Sequence, residues 1–321
     1  MHCVDSDGVG EYTSGMKISE VASLNQRHGL AGILTFEPFH GPFVVARIAN
    51  AHATAEICLH GAHVTAYQPH GQAPVLWMSA HSQFEANTPI RGGIPVCWPW
   101  FGKHPADPDG MPFHGFARLA EWEVSATRAL PDGATEIELE LPPHPPLLAQ
   151  WPEPWELRLR VTVGRSLRVE LTMRNTGRAA VTHTIALHTY FTVGDVASVR
   201  VLGLEGCRYL DALATPPAVK TQTGAVTVSE EVDRAYLDTE ADCVIEDPQL
   251  RRRIRISKSG SRSAVVWNPW IAKSARMPDF GDQEYPGMLC VETVNTATDA
   301  RTLAPGATHC IAATIQAEPM A

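Results

Sequence analysis

The runs Glu156-Leu157-Arg158-Leu159-Arg160-Val161-Thr162-Val163 and Leu167-Arg168-Val169-Glu170-Leu171-Thr172-Met173 alternate polar and apolar residues without a break. A period of two sends successive side chains to opposite faces of an extended chain, so each run reads as a strand that buries Leu and Val and shows Arg, Glu and Thr to water. Moving outward, the same alternation marks Glu136 to Leu141, Trp122 to Thr127, Ala55 to Ala66 and Phe43 to Ile48 on the upstream side. Downstream it resumes in Val181 to Phe191, Val199 to Leu204, Arg253 to Ser257, Ala264 to Trp267, Met288 to Thr293 and Cys310 to Ile315. Turn formers such as Pro131-Asp132-Gly133 and Asn175-Thr176-Gly177 punctuate the runs. No long stretch keeps a helical repeat, which leaves no crossover helices. The sheets should therefore be mainly antiparallel and packed face to face, an all-β chain built as a large antiparallel β-sandwich.

One segment, Pro142 to Trp155 (PPHPPLLAQWPEPW), departs in composition. Its prolines withhold ladder donors and strand pattern returns on both sides, so it reads as a surface loop and not a domain boundary. Residues 31–321 are expected to form one β-sandwich domain behind a flexible segment, residues 1–30. With 321 residues, 44% of them hydrophobic and 19% charged, the chain can bury a large core. Lys and Arg number 26 against 35 for Asp and Glu, a net charge of −9, which argues against nucleic-acid and membrane-surface partners. The dense basic run Arg251 to Lys258 alternates at its end and reads as a solvated strand face. Seven cysteines, odd in number and without a C-x-x-C pair, fit reduced thiols in the cytoplasm. No basic start followed by an apolar run marks a secretory signal, and no segment reaches membrane-span length.

Four segments set polar or ionisable groups beside glycine or aromatic residues: PIRGGIPVCWPWFG (Pro89 to Gly102), FHGFAR (Phe113 to Arg118), ALHTYF (Ala186 to Phe191) and CVETVN (Cys290 to Asn295). Glycine lets backbone approach a ligand closely, and aromatic faces pack against the C–H groups of a sugar. Exchanging a sugar's anomers needs a base for the C1 hydroxyl proton and an acid for the ring oxygen, work that a carboxylate and an imidazole can share without metal, nucleotide or redox group. Glu292 stands in the apolar run Leu289 to Val294, where an ionised side chain is costly unless it faces a cleft or has partners. Other readings stay open on residues alone. His188 fits a hydrogen-bonded core histidine, Glu292 a buried ion pair, Arg91 and Arg118 loop braces, and Trp98, Trp100 and Phe101 ordinary core.

Taken in order, PIRGGIPVCWPWFG, HGFAR, LHTYF, VWNPW and EYPGMLCVE closely resemble the hexose-6-phosphate mutarotases (glucose-6-phosphate 1-epimerases), a branch of the aldose 1-epimerase or galactose mutarotase-like superfamily. The resemblance runs from about Leu34 to about Ile315. It implies the superfamily's β-supersandwich fold, in keeping with the strand reading, and an isomerase that interconverts the α and β anomers of a hexose 6-phosphate. By resemblance His188 is the catalytic acid toward the ring oxygen and Glu292 the base at the C1 hydroxyl. His114 holds the ring oxygen or a neighbouring hydroxyl, Arg91 and Arg118 take the phosphate, and Asp233 contacts sugar hydroxyls. Some relatives carry Gln where Phe113 stands, so one substrate hydrogen bond is expected to be missing here. The family's habit implies a monomer with a small-molecule sugar phosphate as its partner and no cofactor.

Two rivals belong to other classes. A non-catalytic carbohydrate-binding or sensor domain would be expected to have lost the acid–base pair, yet His188 and Glu292 are both present; a mutarotase of free aldoses would keep the pair and dispense with the phosphate arginines. A metal-dependent sugar isomerase is suggested by His60 and His63, but residues three apart on a strand point to opposite faces, so no metal is expected.

Overall fold

Trp155–Val163 and Leu167–Asn175 pair antiparallel, Trp155 opposite Asn175 and Val163 opposite Leu167. Leu157, Leu159, Val161, Val169 and Leu171 are buried, whereas Arg158 and Arg160 are exposed. The computed structural model describes residues 19–320. Among them this hairpin is the middle of an eight-stranded sheet that runs, edge to edge, through Arg200–Leu202, Cys243–Asp247, Arg252–Ser259, Thr308–Pro319, the hairpin, Thr135–Glu140 and Glu123–Ala129. A second eight-stranded sheet orders Ala218–Thr221, Arg208–Asp211, Val232–Tyr236, Ser263–Asn268, Met288–Asn295, Ile185–Leu187 and Val96–Cys97, with Tyr190–Thr192 also paired to Met288–Asn295. Leu34–Pro38, Val44–Ala49, Ala53–Cys58 and His63–Pro69 make a smaller sheet. All named pairings are antiparallel, and one hydrophobic cluster joins the inner faces of both large sheets, from Leu159 and Leu171 to Leu187, Val266 and Val291. The antiparallel sandwich read from the alternation is the observed architecture.

Five expectations change in detail. Ala55 to Ala66 is a hairpin and not one strand: Ala53–Cys58 and His63–Pro69 pair antiparallel, and the chain reverses at Gly61 and Ala62, whose φ angles are 73° and 46°. Alternation carried through a tight turn leaves no gap for a period count to see. Val181 to Phe191 breaks likewise into Val181–His183, Ile185–Leu187 and Tyr190–Thr192. The proline-rich loop contains a short helix, Pro145–Gln150, that buries Leu147; proline suits a first helical turn, where its missing N–H has no intrahelical partner. Of the segment expected to be flexible, residues 1–18 lie outside the described residues and 19–28 form a helix. Asn25 ties that helix to the smaller sheet, donating to the Phe36 carbonyl and accepting from the Phe36 N–H, both at 2.8 Å. In the basic run Arg253 and Arg255 face outward, but Arg252 is buried and donates to the carbonyls of Ala73, Pro74 and Thr192. Among the described residues no helix is long and apolar enough to cross a membrane.

Candidate active site

Met288–Asn295 is buried on both faces, which alternation alone does not produce. Leu289 and Val291 enter the core between the large sheets, while Met288, Cys290 and Val294 join a second cluster on the outer face with Ala186, Tyr190, Val265, Trp267, Trp77 and Phe280. Glu292 shares the parity of that outer cluster. From the same face of the sheet come Asp233, opposite Trp267, and His188, just past Ile185–Leu187. A cavity of about 420 Å³ opens over this face, lined by all six predicted site residues, Arg91, His114, Arg118, His188, Asp233 and Glu292, together with Phe101, Phe113, Tyr190, Trp267, Lys273 and Met277.

Loops deliver the remaining groups, and glycines fix their paths. Gly92 and Gly93 have φ of 118° and 56°. A Cβ on Gly93 would lie 2.3 Å from the Val64 carbonyl oxygen and 2.8 Å from His63 Nε2, so only glycine passes between those strands to present Arg91. His63 Nε2 donates to the Gly92 carbonyl at 2.8 Å, and burial keeps this imidazole neutral, its pKa lowered to about 3. Arg91 donates from Nε and Nη2 to Asp279 Oδ2 at 3.1 and 3.0 Å and from Nη1 to the Tyr190 hydroxyl at 2.9 Å. His114 stands at φ 65° ahead of Gly115, whose Cβ would strike the Trp98 carbonyl. Its Nδ1 accepts from the Gly102 N–H at 3.0 Å, so in the neutral ring Nε2 carries the hydrogen and can donate. Burial, then Arg118, hold this ring well below its ordinary pKa. Arg118 is buried and donates from Nη2 to the Phe113 carbonyl at 2.7 Å, while its Nε has no partner.

At the floor, His188 Nδ1 lies 3.4 Å from Glu292 Oε1, too long and poorly directed for a hydrogen bond, and Glu292 Oε2 is also without a partner. His188 is set by stacking on Tyr190, ring centroids 4.8 Å apart and 9° from parallel. Burial, reinforced by Asp233, raises the Glu292 carboxyl well above the usual range; burial, reinforced by Arg118 and Arg91, lowers His188 well below its own. Each group is driven toward its uncharged form, so the two share a single movable proton, which suits a site that must take one proton and give another. Trp267 and Phe101 supply apolar walls, and Lys273, 3.0 Å from Glu231 and 3.9 Å from Asp233, stands over the Trp267 ring at the rim. His60 and His63 do not converge: His60 Nδ1 meets Glu121 at 2.7 Å, while His63 faces Gly92. The donor atoms of His188, Cys290 and Glu292 lie within 4.8 Å of one another, a set that suits a thiophilic cation, although Arg91 and Arg118 beside it oppose one.

Asp279, Tyr190 and Lys273 are site residues that sequence reasoning does not single out. Tyr190 sits in the LHTYF motif two residues from His188. Asp279 is 188 residues from its partner Arg91, with no local signal that the two meet.

A family model described as aldose 1-epimerase matches residues 45–315. The chain belongs to the aldose 1-epimerase family and is an isomerase of that class, acting on a small-molecule sugar. Within the family it is 38% identical over 240 residues, 75% of this chain and 79% of the relative, to a "Putative glucose-6-phosphate 1-epimerase" of Salmonella typhimurium. It is 39% identical over 246 residues, 74% of each chain, to a protein of the same name from Cenchrus ciliaris. The crystal structure of a "putative mutarotase" from Salmonella typhimurium superposes with a TM-score of 0.84 at 32% identity, covering 94% of this chain and 99% of that one.

Proposed function

We propose that the chain equilibrates the α and β anomers of a hexose 6-phosphate, glucose 6-phosphate foremost, with His188 and Glu292 as the acid–base pair. The observation that carries this reading is the combination in one cavity of that pair, 3.4 Å apart, with the buried guanidinium of Arg118, which has no carboxylate partner among the described residues. Glu292 as carboxylate takes the C1 hydroxyl proton, the electrons of that O–H bond form the C1 carbonyl, the C1–O5 bond breaks, and O5 takes the proton held by His188. Rotation about C1–C2 and the same steps in reverse close the ring on the other face. His114 donates from Nε2 to the ring oxygen or a neighbouring hydroxyl, Asp233 accepts from sugar hydroxyls, and Trp267 offers a face to the sugar's C–H groups. Arg118 and Arg91 offer the paired donors that suit phosphate.

The test is anomer exchange of glucose 6-phosphate by NMR magnetisation transfer, against the protein-free rate and against free glucose and galactose. Acceleration of the phosphate, lost in Glu292→Gln, is the expected result. Acceleration of free sugars alone would keep the acid–base pair and discard the phosphate role, and sugar binding without acceleration would remove the enzyme reading. We further infer a cytoplasmic monomer; the described cysteines are all free, which supports the reducing compartment, and gel filtration checks the mass.

A further inference from the structure

The charges in the cavity are not all paired. Arg91 is matched by Asp279, whose Oδ2 lies 3.0 Å from its Nη2. Arg118 is not matched: 8% exposed, it makes one hydrogen bond, to a neutral carbonyl. A guanidinium removed from water without a counter-charge is costly, and it opposes every further positive charge in the same low-dielectric space. The groups that face His188 from the elements around it are Arg91, Arg118, His63, His114, Tyr190, Cys290 and Glu292. Burial pushes the Tyr190 hydroxyl and the Cys290 thiol up, so of these only Glu292 can be negative near neutral pH. An imidazolium at His188 would meet two guanidiniums, of which Arg91 is matched by Asp279 and Arg118 by nothing, with Glu292 the one carboxylate beside the ring.

We propose that the substrate's phosphate is an activator as well as a handle: a dianion seated on Arg118 supplies the missing negative charge and lets His188 hold the proton it must deliver to the ring oxygen. This rests on the hexose-phosphate reading above. It carries a further activity, because the anion and the sugar need not be one molecule. A small oxyanion such as phosphite in the cavity switches on ring opening of unphosphorylated glucose by the same proton transfers, the anion itself being neither consumed nor altered. The electrostatic causes acting on His188 point the same way. After burial, Arg118 and Arg91 are the largest influences that hold its proton off, and a bound dianion cancels them.

The test measures glucose anomer exchange with and without phosphite, subtracting protein-free samples at the same phosphite concentration because the anion itself is a general base. Phosphite should raise the wild-type rate saturably by about tenfold or more, the effect of one pK unit at His188, and should move the alkaline limb of the pH–rate profile to higher pH. Arg118→Met should abolish the activation, and Arg118→Lys, which keeps a cation there, should retain part of it. Should Arg118→Met fold poorly, the wild-type arm with Arg118→Lys still decides. Phosphite that competes with glucose 6-phosphate yet leaves glucose exchange and its pH profile unchanged would overturn this inference alone. No acceleration of glucose 6-phosphate in the first place would overturn the function on which it rests.

Discussion

The two large sheets bury their charges in opposite ways. Around the hairpin Trp155–Val163 and Leu167–Asn175 of the first sheet, Glu and Arg stay on the solvent face and pair there: Arg160 reaches across to Glu138 at 2.9 Å and Glu170 at 3.3 Å, Arg168 meets Glu170 along its own strand at 2.7 Å, and the sheet's buried Arg252 is satisfied by carbonyls. Such pairs are screened and contribute little. In the sheet built on Met288–Asn295 the outer face is roofed by Trp77, Phe280, Met277 and Phe101, and Glu292, His188 and Arg118 lie beneath that roof with polar atoms left unsatisfied. The first sheet uses charge to keep a surface wet. The second holds ionisable groups where folding gains nothing from them, which is the ground for proposing the chemistry there.

The largest test of that contrast is Glu292→Gln. It should cut anomer exchange by about 10²–10⁴-fold, the usual worth of a positioned acid or base, while the unfolding midpoint in urea holds or rises. A large loss of stability would mean that Glu292 braces the sheet after all. Arg118→Met should lower kcat/KM for glucose 6-phosphate by about 10- to 100-fold, from the roughly 1.5–3 kcal/mol of a hydrogen bond to a charged group, while free glucose exchanges no slower and gains where the charge no longer opposes a proton on His188. Equal losses on both substrates would remove the phosphate role.

Asp279→Asn should do less, because Tyr190 still holds Nη1 of Arg91. A several-fold rise in KM for glucose 6-phosphate with little change in kcat is expected, and an unchanged KM would make Asp279 a purely structural partner. A pH effect should appear in stability too. His63 and His183 are buried and each is lowered to about 3, below the unfolded value near 6.5. The unfolded chain therefore binds more protons in that window, and stability should fall as pH drops from about 6.5 toward 3, by at most about 1.4 kcal/mol per pH unit for each histidine. Neither nitrogen of His183 has a partner, so His183→Phe should flatten this slope in urea melts across pH; an unchanged slope would place the effect elsewhere. The smallest effect belongs to the wet sheet. Glu170→Gln should cost under about 1 kcal/mol and leave exchange untouched, and a catalytic defect there would end the contrast between the sheets.

The strands were legible because a half-buried sheet imposes a period of two on the residues themselves, as in Leu157 to Val163 and Leu167 to Met173. Glu292 was legible for the converse reason, a carboxylate where the run Leu289 to Val294 demands apolar groups. The hairpin turn at Gly61 and Ala62 was not, because alternation continues through it. Asp279 and Lys273 were not, because nothing near them in the chain says which distant group they will face.

The sequence by itself determined the class of fold, the list of chemical groups available and, through its motifs, the resemblance that gave those groups roles. Only the tertiary structure decided that Met288–Asn295 is covered on both faces, that Arg91 finds a carboxylate while Arg118 does not, and that His188 and Glu292 stand 3.4 Å apart beneath an aromatic roof. Periodicity is a local property, written residue by residue. Charge balance in a cavity is the sum over elements that meet only when the sheet closes, and no single segment carries it.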